Sequence, residues 1–355
     1  MNIKRSVVTL SLWLIYYFQE TSCFDPITIG AGAVFTAGSI YSGFKYFTND
    51  CKSNECCNNE NWIKKDMQAL KMAMNQRLFG QHIAHTTVLA AMTSHINNPE
   101  PKKALTMSFH GLPGSGKNYL SSMIANSYFT KGENSKYYHF FNGRTEFTND
   151  QHIDKYKLSI KKKIIDSLID CPNSIFVFDE VDMMPQGVLN VLVPFLQYGK
   201  HQNIYNDNDQ HIDIKTNNAI YIFLSNTGSH EIINTLIKIW ENGGNRDNTK
   251  LSDFENIITM GAFNEIGGFK NSHTISTNLI DHYVPFLPME EKHIKRCIEI
   301  EFNDKNYKPS DDDINEVMSY VTFDSSTHNL FAKSGCKRLS LKIATIVYQK
   351  RDKFL

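Results

Sequence analysis

Residues 111–118 read Gly-Leu-Pro-Gly-Ser-Gly-Lys-Asn and fit a phosphate-binding loop, G-x-x-x-x-G-K-[ST], at every position but the last. Gly111, Gly114 and Gly116 let the backbone curl so that its N–H groups, with Ser115 among them, point inward at phosphate oxygens. Lys117 supplies a charge that reaches the β- and γ-phosphates. Asn118 stands where a Ser or Thr hydroxyl normally holds Mg²⁺, so a carboxamide oxygen must do that work or leave it to water. A second constellation, Ser174-Ile175-Phe176-Val177-Phe178-Asp179-Glu180, is an apolar run ending in two carboxylates. Asp179 is suited to hold the water shell of Mg²⁺, and Glu180 to orient and polarise an attacking water. A third run, 219–224, ends in Ser225-Asn226, and Asn226 can bind that water or the γ-phosphate. Together these residues describe hydrolysis of a nucleoside triphosphate with Mg²⁺.

Such chemistry needs elements that bring the three runs to one edge. The alternating stretch Leu105–Phe109 reads as a strand into the loop, and a helical pattern starting near Tyr119 leads out. The loop then sits at a helix N-terminus, where unpaired N–H groups favour an anion, and Tyr119 joins the nucleotide-contacting set. Continuous apolar runs such as 174–178 are strands buried on both faces of a parallel sheet, and such sheets bind ligands at their C-terminal ends. The fold class is therefore α/β: a parallel central sheet flanked by helices. Helical periodicity covers Trp62–Leu78 and His82–Ile96, and the polar stretch His201–Asn218 reads as a long loop. Pro285 and Pro288 break the chain before a small, mostly helical C-terminal domain.

The chain has 355 residues, enough for two or three domains, and is 41% hydrophobic and 21% charged. Its formal net charge is +0, with no strongly basic face, which argues against nucleic acid as a partner. The basic run Lys155–Lys163 reads as a solvated helix face. Residues 1–23 read as a signal peptide, the alternative being an uncleaved membrane anchor: a basic start, an apolar stretch Val7–Phe18, and small or polar residues up to cleavage after Cys23. Residues 24–47 form a second apolar, Gly-rich segment, in which 26–47 is barely long enough to span a bilayer and reads as a shallow or hairpin insertion at the membrane rather than a globular core helix. A Cys-containing linker, 48–60, leads to the large domain at 61–285, and the small domain covers 286–355. Losing Cys23 leaves an even number of the seven cysteines, which suits an oxidising compartment. Cys51, Cys56 and Cys57 form disulfides or leave a free thiol, and zinc is the weaker idea because no His pair has usable spacing.

The chain resembles the torsins, AAA+ ATPases related to Clp-type unfoldases, over nearly all its length. The carriers are Gly-Ser-Gly-Lys-Asn at 114–118, Phe-Asp-Glu-Val-Asp at 178–182, Phe-Leu-Ser-Asn at 223–226, 278–288, and Ser-Gly-Cys-Lys at 334–337. Asn118 is the torsin form of the loop, and Cys336 before Lys337 the torsin form of the second sensor. The resemblance implies an AAA+ domain with a sensor-2 lid, using ATP and Mg²⁺ in the lumen of the endoplasmic reticulum and nuclear envelope. It implies catalytic roles for Glu180, Asn226 and Lys337, self-association, and a redox-active pair Cys297 and Cys336, the alternative being two buried thiols. It also implies a weak enzyme, activated by lumenal domains of lamina-associated-polypeptide-type membrane partners that insert an arginine. Arg246 reads as a loop residue, and Phe140-Phe141-Asn142-Gly143 as a buried strand end rather than a pore loop. A nucleotide-gated membrane scaffold and a Clp-like unfoldase are the other readings.

Overall fold

The computed structural model describes residues 51, 54–57, 59–205, 210–265, 267–271 and 278–352. The expected signal peptide and the membrane segment 24–47 lie outside the described residues. Those residues fall in two units, one ending at Cys56 and one beginning at Cys57. Among them no helix is long and apolar enough to cross a membrane.

Seven strands and nine longer helices, among the described residues, are numbered here in chain order. The strands are β1 (Leu105–Gly111), β2 (Tyr138–Asn142), β3 (Ile175–Asp179), β4 (His201–Tyr205), β5 (His211–Lys215), β6 (Ile220–Ser225) and β7 (His282–Phe286). The helices are α1 (Met67–Arg77), α2 (His82–Asn97), α3 (Lys117–Tyr128), α4 (Ile153–Asp170), α5 (Ser229–Glu241), α6 (Glu255–Asn264), α7 (Glu291–Asp304), α8 (Asp311–Met318) and α9 (Leu339–Asp352). Five strands make one parallel sheet in the order β2-β3-β6-β1-β7. Strands β1, β3 and β6 are buried along their whole length, as the apolar runs require. Their register sets His110 beside Ser225 and Asn142 beside Asp179, so the C-terminal ends of four strands share one edge.

One apolar core lies on each face of the sheet, and a third joins α7, α8 and α9 around Ile298, Phe302 and Ile343. Helix α4 turns Ile160, Ile164, Ile165 and Leu168 inward and leaves Lys155, Lys162 and Lys163 exposed, so the basic run is a solvated face. Buried Lys103 donates to Asp281 at 2.8 Å, and that carboxylate also accepts the Thr106 N–H at 2.9 Å, pinning the approach to β7 against β1.

Three local expectations are corrected. The first helix begins at Met67, not Trp62: Lys65 has φ 51°, Asp66 caps the Ala69 N–H at 2.8 Å, and Ile63 pairs with Phe129. The supposed long loop 201–218 holds an antiparallel hairpin of β4 and β5, whose Ile204 and Ile214 face the core. The Pro-bearing segment at 285 is strand β7; Pro285 is tolerated because β7 is at the sheet edge.

The cysteines are paired as Cys51–Cys56, Cys57–Cys171 and Cys297–Cys336. No described cysteine is left as a free thiol, and among the described residues no group of side chains could hold a zinc ion.

Candidate nucleotide site

A cavity of about 550 Å³ opens at the C-terminal edge of the sheet. Its floor is the phosphate loop with Asp179, Glu180 and Asn226; its roof is the α7 face carrying Cys297, Ile300 and Glu301, with Cys336 and Lys337. Arg77, Phe79 and Tyr119 line its side. The volume is that of a pocket for a molecule of nucleotide size.

The loop has the backbone the sequence calls for: Gly111, Gly114 and Gly116 have φ of 154°, 80° and 110°. Gly114 also meets the C-terminal segment closely. A Cβ there would lie 1.9 Å from the Ser334 carbonyl oxygen, and one on Gly335 would lie 2.3 Å from the Gly114 carbonyl oxygen. The Cys336 N–H donates to that same Gly114 carbonyl at 3.2 Å. This backbone contact brings Lys337 to the loop. The Ser115 hydroxyl donates to the Leu112 carbonyl at 2.8 Å and so braces the curl.

Lys117 is buried, and its ammonium donates to the carbonyls of Gly111 (2.5 Å) and Leu112 (3.1 Å) and to Asn226 Oδ1 (3.0 Å). Burial lowers its pKa to about 8 against the pull of Asp182 and Asp179. A phosphate would supply the opposite charge that this ammonium lacks. Bound nucleotide restores the charged form, so affinity should be flat below pH 8 and fall by up to about tenfold per pH unit above it. A pH series of nucleotide titrations checks this; an affinity that holds from pH 7 to 9.5 contradicts it.

Asn118 Nδ2 donates to Asp179 Oδ2 at 2.7 Å, which fixes the amide orientation and leaves Asn118 Oδ1 without a partner among the described residues. Burial raises the Asp179 pKa, while the Asn118 amide and the Glu180 N–H (2.8 Å to Oδ1) oppose the shift. Two hard oxygen donors side by side suit Mg²⁺, whose role when bound is to neutralise charge on the β- and γ-phosphates. Glu180 has φ 49°, and its Oε2 accepts from Arg144 Nε at 2.8 Å. Asn226 is held by Asp182, which accepts its backbone N–H (3.0 Å) and its Nδ2 (3.1 Å). Next to it, buried His110 bonds the Thr227 carbonyl at 3.0 Å and Ser108 at 2.7 Å, and burial brings its pKa down to about 4.

Every residue singled out from the sequence for the nucleotide lines this cavity or builds its loop, and Cys297 and Cys336 line it too. Sequence reasoning missed Arg144, Asp182, Arg77 and Phe79. For Asp182 a signal existed, a third carboxylate two residues after Glu180; Arg144 had none. Arg246 is buried: Nη1 donates to the Pro288 carbonyl and to Glu290 (3.2 Å), and Nη2 to the Gly80 carbonyl (2.5 Å). It clamps the start of the C-terminal region and has no reach outward.

Comparison with known proteins agrees with this geometry. A family model described as Torsin matches residues 51–178, and one described as Torsin-1A, C-terminal domain, matches 289–345. A Torsin-like protein of Drosophila melanogaster is 36% identical over 333 residues, covering 91% of this chain and 93% of the relative. One of Caenorhabditis elegans is 32% identical over 295 residues, covering 82% and 80%. Among solved structures, the S. cerevisiae Hsp104–ADP complex matches with a TM-score of 0.57 at 19% identity, covering 98% of this chain. A closed-state reconstruction of Hsp104 with ATPγS and FITC casein matches at 0.57 and 20%, covering 81%. The chain spans only about half of those Hsp104 chains, 56% and 48%, and that likeness speaks for the fold alone. By its relatives, its parallel sheet and its phosphate loop, this chain belongs to the torsin family of AAA+ ATPases.

Proposed function

We propose that this chain binds Mg²⁺–ATP between the phosphate loop and the C-terminal helices and hydrolyses it slowly until a partner completes the site. In this reading Lys117 and the loop N–H groups bind the phosphates, with Lys337 approaching from the lid. Asn118 and Asp179 hold the metal, Glu180 orients the attacking water, and Asn226 positions it. The observation that carries activator dependence is the buried guanidinium of Arg246, whose Nη1 and Nη2 are both held by internal partners and which cannot serve a neighbouring site as a finger. A missing finger is worth roughly 10³–10⁵ in rate. The partner is a lumenal domain of the lamina-associated-polypeptide type. The place of action is the lumen of the endoplasmic reticulum and nuclear envelope, with residues 26–47 at the membrane surface, self-association, and remodelling of lumenal proteins or membrane as the task. Three disulfides support an oxidising compartment.

The test is phosphate release by the full chain with and without the candidate lumenal domain. Hydrolysis near background alone, rising at least about 100-fold with the partner, is expected. Strong activity of the chain alone would overturn activator dependence. Processive unfolding is the less favoured reading. Of the two aromatics in 140–143, expected as a buried strand end, only Phe141 is buried, against Phe178, while Phe140 is exposed, yet both lie on strand β2 and not on a loop. The aromatic that follows β2, Phe147, is buried edge-on against Tyr156.

A further inference from the structure

Arg144 lies on a single helical turn, Gly143–Glu146, directly after β2. The turn is firmly built. The Asn142 side chain accepts the N–H groups of Arg144 (3.0 Å) and Thr145 (3.1 Å), and Glu146 accepts the Asn142 N–H (2.8 Å). A Cβ on Gly143 would lie 2.2 Å from the Glu180 carbonyl oxygen, so the turn is seated on the backbone of the water-orienting residue. From there Arg144 Nε reaches Glu180 Oε2 at 2.8 Å. Nη1 and Nη2 have no partner among the described residues, and the side chain is 60% exposed. An ion pair so exposed contributes little to folding, so stability does not account for it. The side chain lines the nucleotide cavity together with Lys117, Asn226 and Lys337. A guanidinium with two free, forked donors matches phosphate oxygens geometrically, which an ammonium does not.

We propose that Arg144 is a γ-phosphate-binding residue supplied by the chain itself: its Nη donors bind γ-phosphate oxygens while Nε keeps Glu180 in place, so that the site distinguishes ATP from ADP. The inference rests on reading the cavity as an ATP site. It assigns Arg144 to recognition of the bound triphosphate and leaves the transition-state cation to a partner.

The experiment is calorimetric titration of the full chain, with Mg²⁺, using ADP and the β,γ-imido analogue of ATP. Arg144→Ala should weaken the analogue tenfold or more and ADP less than twofold. Arg144→Lys should recover part of the loss and Arg144→Gln none, with thermal unfolding of all three matching the unaltered chain. Equal weakening of both nucleotides, or none, overturns the proposal. So does faster basal hydrolysis in Arg144→Ala at unchanged analogue affinity, which would reduce Arg144 to a restraint on Glu180. If the unaltered chain binds neither nucleotide, the ATP-site reading itself fails and this inference with it.

Discussion

Glu180→Gln should bind ATP at least as tightly as the unaltered chain and turn it over about 100-fold or more slowly, the usual weight of a positioned general base. The exchange is isosteric, so the seat on the Gly143 turn and the contact with Arg144 Nε survive through the remaining carbonyl oxygen. The side chain loses the negative charge that polarises water. The groups proposed to bind the phosphates and the metal lie elsewhere: the loop glycines, Lys117, Lys337 and Arg144 for phosphate, and the Asn118–Asp179 pair for Mg²⁺. Lys117→Ala should do the opposite and weaken ATP binding itself, because its ammonium is the buried charge at the loop. Partner-stimulated single-turnover phosphate release, with nucleotide affinity measured in parallel, separates the two. Turnover in Glu180→Gln comparable to that of the unaltered chain would remove Glu180 from the mechanism. Tight ATP binding by Lys117→Ala would remove Lys117 from phosphate recognition.

How far the site could be read in advance follows from how local each part is. The phosphate loop needs glycines because its own backbone takes positive φ at three positions, so consecutive residues declare it. Asp179 and Glu180 are declared by the apolar run they end, since buried parallel strands carry no polar interruption. Arg144 is different. Its partner is 36 residues away, and they meet only because β2 pairs with β3 in a register that sets Asn142 beside Asp179. The bond from Asp182 to Asn226 spans 44 residues and depends on β3 lying next to β6. The β4–β5 hairpin was hidden because few of its positions are buried, Ile204 and Ile214 foremost, and the rest are polar. Strand β7 was hidden by Pro285, which signals a break unless the strand is known to be an edge.

Opening the Cys297–Cys336 bond should destabilise the C-terminal helical region by about 4 kcal/mol and weaken nucleotide binding several-fold. The first figure follows from loop-closure entropy over the 39 residues that the bond spans. The Cα atoms lie 6.2 Å apart, within the range a disulfide needs, so the fold accommodates the closed bond. The second effect follows from what the bond is attached to. Cys297 is on α7, which roofs the cavity, and the Cys336 N–H donates to the Gly114 carbonyl of the phosphate loop. Lys337 is the next residue and lines the cavity, so whatever fixes Cys336 fixes the position of that ammonium at the proposed γ-phosphate site. Gly335 makes the coupling stiff, because the two backbones meet with no room for a Cβ on either side. Denaturant unfolding and nucleotide titration of oxidised and reduced protein measure the two effects. The difference in affinity should vanish in Cys297→Ser, which cannot form the bond yet leaves Cys336 beside the loop. Affinity that ignores the redox state would leave the disulfide with a structural role only, and the Gly114–Cys336 contact would then hold Lys337 in place unaided.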